Sequence, residues 1–154
     1  MGDGLRWDPE GRDSVYKELD HPADLLVEVW GSDLPELFEN ALFALYDQMA
    51  ELEGFEIERS ETIEVRGSSP EEALRSLLSE ALYRFATEGF VAASAKIDVR
   101  ATPSGEVQVK AYLHGETIDR ERHTLATEVK AVTYHKLAVE RVPEGWRATV
   151  LFDV

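Results

Sequence analysis

Asp20-His21-Pro22-Ala23-Asp24 sets two carboxylates and an imidazole directly before the apolar run Leu25–Trp30. At a strand edge that set could hold a cation or move a proton. The same residues also make an ordinary turn, because Asp and Pro are common where a chain enters a strand and Asp side chains bond nearby backbone N–H groups. A second candidate is the end of the sequence, where alternation puts Asp153 on the opposite face from Phe152 and Val154 carries an α-carboxylate. Two carboxylates brought close repel each other unless a cation sits between them, which points to calcium, magnesium or manganese. A solvated strand end reads the same way.

Other chemistries lack their residues. With no cysteine there is no thiol nucleophile, thiolate zinc site or disulfide, so any metal must be held by oxygen or imidazole. His21, His114, His123 and His135 are scattered without helical ligand spacing, and His114-Gly115-Glu116 reads as an isolated turn. No phosphate loop, dinucleotide fingerprint or nucleophile elbow occurs.

The net charge of −15, from 31 acidic and 16 basic residues, opposes nucleic-acid binding unless the few basic residues converge in space. Tight direct binding of RNA is therefore not expected. The apolar stretches are too short for a membrane span, and the N-terminus lacks the regions of a secretory signal, so the expected location is the cytoplasm.

These residues need elements to position them. Residues 1–14, with three glycines and a proline, read as a flexible tail before a single domain over 15–154. Leu25–Trp30 is apolar on both faces, as an interior strand is, and stops at Gly31. Leu34, Leu37, Phe38, Ala41, Leu42, Leu45, Met49 and Leu52 make one helical stripe, with Asp33 and Glu36 as its capping box. A strand over Thr62–Val65 precedes a second helix that starts at Ser69-Pro70 and stops before Gly89. Alternation then predicts a hairpin turning at Thr102–Gly105 and another, 129–142 with 146–153, turning at Pro143-Glu144-Gly145. The fold class expected is α+β: a single-domain, two-layer sandwich with two amphipathic helices on one largely antiparallel or mixed sheet.

The run Tyr16–Asp24 resembles the opening of the archease family, in which His-Thr-Ala-Asp is usual and Pro22 here replaces the threonine. Gly31-Ser32-Asp33-Leu34-Pro35-Glu36-Leu37-Phe38, Gly115-Glu116 and Glu128-Val129-Lys130-Ala131-Val132-Thr133-Tyr134-His135 continue the pattern. The end, Ala148–Val154, is similar to the family's close on Asp plus one aliphatic residue. The resemblance implies a non-enzymatic activator of the RtcB-type RNA ligase that seals tRNA exon halves, acting by promoting guanylylation and multiple turnover of that ligase. It also implies a bound divalent cation on Asp24, Asp153 and Val154. His21 is then a residue that orients Asp24, and Lys130 a contact to ligase or nucleotide. A straight final hairpin, however, pairs Asp153 near Lys136 and leaves Lys130 about 20 Å away, at roughly 3.3 Å per residue. Two other readings compete: an independent metal-dependent phosphotransferase or hydrolase using Asp24 and Asp153, and a general chaperone-like binding module.

Overall fold

Asp33 and Ser69 start the two helices in the same way. In the computed structural model, which describes residues 6–9, 11, 12, 14–19 and 24–154, α1 spans Leu34–Met49 and α2 spans Pro70–Glu88. Asp33 Oδ1 accepts the Glu36 N–H at 2.9 Å, while Glu36 Oε1 accepts the Ser32 N–H at 2.6 Å. Ser69 Oγ likewise accepts from Glu72 at 3.1 Å, and Glu72 reaches back to Ser68 N–H at 3.2 Å. Each reciprocal pair satisfies donors that a helix start leaves without partners. At the other end of α2, Gly89 takes φ 71°, a left-handed cap.

Each helix folds straight back on the strand before it, and one glycine makes each return: a Cβ on Gly31 would lie 2.3 Å from Leu37 N, and one on Gly67 2.4 Å from Ala73 N. Because the obstruction is helix backbone, side-chain repacking cannot relieve it. Gly67→Ala should therefore lower stability by about 1–3 kcal/mol, the ordinary cost of overpacking. Urea unfolding monitored by circular dichroism measures it, and an unchanged midpoint would contradict the close approach.

Among the described residues eight strands follow in chain order: β1 Tyr16–Leu19, β2 Asp24–Gly31, β3 Arg59–Gly67, β4 Phe90–Ala101, β5 Val107–Thr117, β6 Ala131–Val132, β7 Ala138–Val142 and β8 Gly145–Asp153. They form two antiparallel sheets, one ordered β1-β2-β8-β6 with β7 also on β8, the other β3-β5-β4. The α+β class and the interior place of β2 agree with the sequence reading, but the expected single sheet is two. α1 packs on β2 and β8 of one sheet and on β4 of the other. Its buried surface consequently extends beyond the predicted stripe to Asn40, Phe43, Ala44 and Tyr46. Among the described residues no helix is long and apolar enough to cross a membrane.

The expected flexible tail does not hold for the described part of residues 6–14. Trp7 is 3% exposed, with its indole edge-on to Phe43 at 5.6 Å between ring centres and its backbone N–H donating to Ala93 O at 2.8 Å. Arg12 donates to Asn40 Oδ1 at 2.7 Å. Glycine and proline signalled a loop correctly, but one large aromatic side chain is enough to pin a loop when α1 leaves an apolar gap. β1 was also not foreseen: its four residues are too few to show alternation, and it is held by β2 and by Tyr16 Oη donating to Asp47 Oδ2 at 2.7 Å.

The last hairpin is bent. Val132 pairs with Phe152 and Ala138 with Thr149, so six residues of chain on one side oppose three on the other. The surplus leaves the sheet as a loop over 133–137, held by Thr133 N–H on Leu151 O and by Leu137 N–H on Tyr134 O, with Lys136 at φ 60°. Arg75 of α2 braces it, its guanidinium 3.8 Å from the Tyr134 ring centre and its Nε donating to Val132 O.

Candidate metal centre

β2 begins where β8 ends, and Asp24 is the register partner of Asp153. Residues directly opposite in an antiparallel pair point to the same face with Cβ atoms about 4.5–5.5 Å apart. The two carboxylates that lie 129 positions apart in sequence therefore stand side by side, Asp24 half-buried and Asp153 exposed. Val154, 37% exposed, follows immediately. Like charges placed opposite each other destabilise a sheet, and two hard oxygen donors on one face are what a divalent cation binds. Asp24 and Asp153 are thus donors of the kind such an ion takes, and two carboxylates would leave most of its shell to water, backbone or partner oxygens. Among the described residues no three His, Cys, Asp or Glu side chains converge on a metal-sized spot. Asp20, His21 and Pro22 lie outside the described residues.

Lys130 is close to this pair. Its N–H donates to Asp153 O at 2.7 Å, and Ala131 is the β6 partner of Asp153. The separation of about 20 Å expected from a straight hairpin is overturned by the bulge at 133–137, which absorbs the surplus residues and returns β6 to the end of β8. Three chain segments thus meet at one sheet end: the start of β2, the end of β8 and the entry to β6.

A second polar cluster holds the segment leading to Lys130, and the sequence reading missed it. Glu116, at the end of β5, is 5% exposed; it accepts the Glu56 N–H at 2.9 Å and is paired with Arg122. His123 lies stacked on Phe55 at 3.7 Å, with Nδ1 accepting the Asp119 N–H at 2.8 Å. That leaves the imidazole proton on Nε2, which donates to Glu116 Oε1 at 3.2 Å. Irregular chain over 118–130 is thereby fastened at its root, and Ala126 and Thr127 bond it to the C-terminal turn of α1 through Met49 O and Gln48 O. Nothing in the spacing of Glu116, Arg122 and His123 suggests this, because their partners Phe55 and Glu56 are some sixty residues away.

Burial alone would push the Glu116 carboxyl up, but the Glu56 N–H, a hydrogen bond with Glu58 and the Arg122 guanidinium override it and hold the group at about 2. A depressed carboxylate stabilises the fold fully above its unfolded value, and that contribution is lost as pH falls toward about 2. Thermal unfolding of the wild type should accordingly lose more stability between about pH 4.5 and 2 than Glu116→Gln, which cannot titrate. Parallel pH profiles for the two proteins would show that Glu116 is not held in this way.

Residues 16–154 match the archease protein family (MTH1598/TM1083). The chain belongs to the archease family. Similar proteins include the archease of Archaeoglobus fulgidus, 38% identical over 139 residues that span 90% of this chain and 98% of that one. Another is the archease of Pyrococcus furiosus, 34% identical over 140 residues, with 90% and 98% covered. Among solved structures, Methanobacterium thermoautotrophicum protein 1598 superposes with a TM-score of 0.81 at 26% identity, over 91% of this chain and 99% of that one. A Thermotoga maritima protein, described as an archease and possible chaperone, shares the fold with a TM-score of 0.58 at 22% identity, over 90% and 96%. The archease match begins at Tyr16, just after the segment that carries Trp7. The strands that bring Asp24 to Asp153 lie inside it, as does the loop that returns Lys130.

Proposed function

We propose that this archease is a protein cofactor of an RtcB-type RNA ligase, which it activates by promoting guanylylation and repeated turnover, and that it binds a divalent cation through Asp24, Asp153 and Val154. The observation that carries the reading is the register of Asp24 with Asp153 at an exposed sheet end. A divalent cation bound there would supply positive charge to a phosphoryl group. The two aspartates provide hard oxygen donors on a rigid strand pair, so their separation is set by the sheet and not by a loop. The Lys130 backbone is anchored to Asp153, which keeps its exposed ammonium near the same end, suited to a phosphate or a ligase carboxylate. His21 remains the proposed residue for orienting Asp24. A cytoplasmic setting and a ligase whose docking face is basic complete the proposal, the latter because of the −15 charge of this chain.

A guanylylation assay tests it: cognate ligase, GTP and manganese, with and without this protein. The expected result is faster formation of the guanylylated ligase and several rounds of RNA joining, with no GTP consumed by this protein alone. GTP turnover by this protein alone, abolished by Asp24→Ala, would establish an independent phosphotransferase or hydrolase instead. Suppression of aggregation of unrelated proteins without any effect on the ligase would favour a general chaperone.

A further inference from the structure

Register arranges the outward face of the β3-β5-β4 sheet in transverse rows: Arg66, Gln108 and Arg100; then Glu64, Lys110 and Asp98; then Thr62, Tyr112 and Lys96. The alternate rows, such as Ile63, Ala111 and Ile97, are buried, so these three face solvent. A shallow trough of about 440 Å³ runs over the first two rows and reaches Tyr112 of the third. Four cations share the face with Glu64 and Asp98, and Glu106 stands at its margin 3.9 Å from Arg66. That is a local excess of positive charge on a chain of −15, meeting the one condition under which the sequence allows contact with nucleic acid. Lys110 is flanked by Glu64 and Asp98, which offset its charge, and its Nζ lies 5.5 Å from the centre of the Tyr112 ring. Arg100 and Lys96 remain for an anion, and Arg66, exposed and at 3.9 Å from Glu106 only loosely paired, can turn to one as well.

We propose that this sheet face is a weak docking surface for single-stranded RNA, with phosphates on Arg66, Arg100 and Lys96 and a base against Tyr112. Strands about 4.8 Å apart put Arg66 and Arg100, on the two outer strands, about 10 Å from each other at Cα. The Lys96 row lies about 13 Å further along the strands. Those spans suit about three phosphates. A flat sheet offers no helix or ribbon to enter a duplex groove, whereas an aromatic residue in its central strand stacks an unpaired base of any identity. The surface lies on a different sheet from Asp24 and Asp153 and does not depend on the cation or on the ligase.

Fluorescence anisotropy with a labelled oligouridine of about twelve nucleotides and the full chain tests the proposal. Contact with three phosphates predicts a log–log salt slope of about −2, so affinity should fall about a hundredfold between roughly 20 and 200 mM salt. The double variant Arg66→Glu/Arg100→Glu should abolish binding at low salt while its thermal unfolding stays unchanged, both side chains being exposed. Arg120→Glu/Arg141→Glu makes the same change in net charge elsewhere on the surface and should still bind. No binding at about 20 mM salt, a slope near zero, or equal loss in both double variants would overturn the proposal. So would a sedimenting dimer that disappears in Arg66→Glu/Arg100→Glu, since the face would then be one between copies of this chain.

Discussion

Asp153→Asn is expected to leave the cation-free protein as stable as the wild type, or slightly more stable, while cation affinity and ligase activation fall together by at least about tenfold. The sign of the first effect follows from the register. Asp24 and Asp153 face each other across β2 and β8, and removing one of two like charges relieves repulsion of roughly 0.2–1 kcal/mol. The second effect has the opposite sign because asparagine keeps the shape but removes the charge a hard cation prefers. Adding one glycine after Val154 is a companion test. It turns the α-carboxylate into a peptide carbonyl and moves the charge roughly 3.5 Å further along the chain. Phe152, Leu151 and Val150 stay buried in that variant, so its unfolding without metal should be unchanged. Isothermal titration with calcium and with manganese, thermal unfolding with and without each ion, and the guanylylation assay together decide the matter. If both variants bind the ion and activate the ligase like the wild type, Asp153 is only the solvated end of a strand.

Glu116→Ala should do the reverse, lowering stability in the absence of any metal. Truncation leaves one buried donor, His123 Nε2–H, without its acceptor, a loss that costs about 1–3 kcal/mol, and frees the part-buried Glu56 N–H, which can turn to water at smaller cost. Arg122 contributes less, being half exposed and able to turn to water. A total of roughly 2 kcal/mol is expected, together with faster hydrogen exchange through residues 118–130, which the cluster fastens. Ligase activation should fall because Lys130 loses its fixed approach, whereas cation affinity, set by β2 and β8, should hold. The two variants therefore separate the cation from the loop: one changes affinity at constant stability, the other stability at constant affinity. An unchanged unfolding midpoint and unchanged exchange in Glu116→Ala would show that the loop is held by its backbone bonds to Gln48, Met49, Glu51 and Asp153 without the cluster.

What the sequence by itself determined was local. Ser69 with Glu72, Asp33 with Glu36, the glycines that end β2 and β3, and the left-handed Gly89 each act within a few residues, so capping and turn chemistry could be read directly. The two halves of the candidate site were also visible, each as a carboxylate beside an apolar alternation. Pairing decided the rest. Whether Asp24 meets Asp153 depends on the register of strands more than a hundred residues apart, which no local pattern encodes. The position of Lys130 turned on a loop at 133–137 that alternation passes over, because three surplus residues leave the sheet where Arg75 of α2 can brace them. Burial of Trp7 and of all sides of the middle of α1, residues 40–46, likewise required a second sheet to exist. Glu116 reads as part of a turn in sequence and His123 as one of four scattered histidines; they become a buried pair only because Phe55 and Glu56 arrive from a distant segment to stack on the imidazole and donate to the carboxylate.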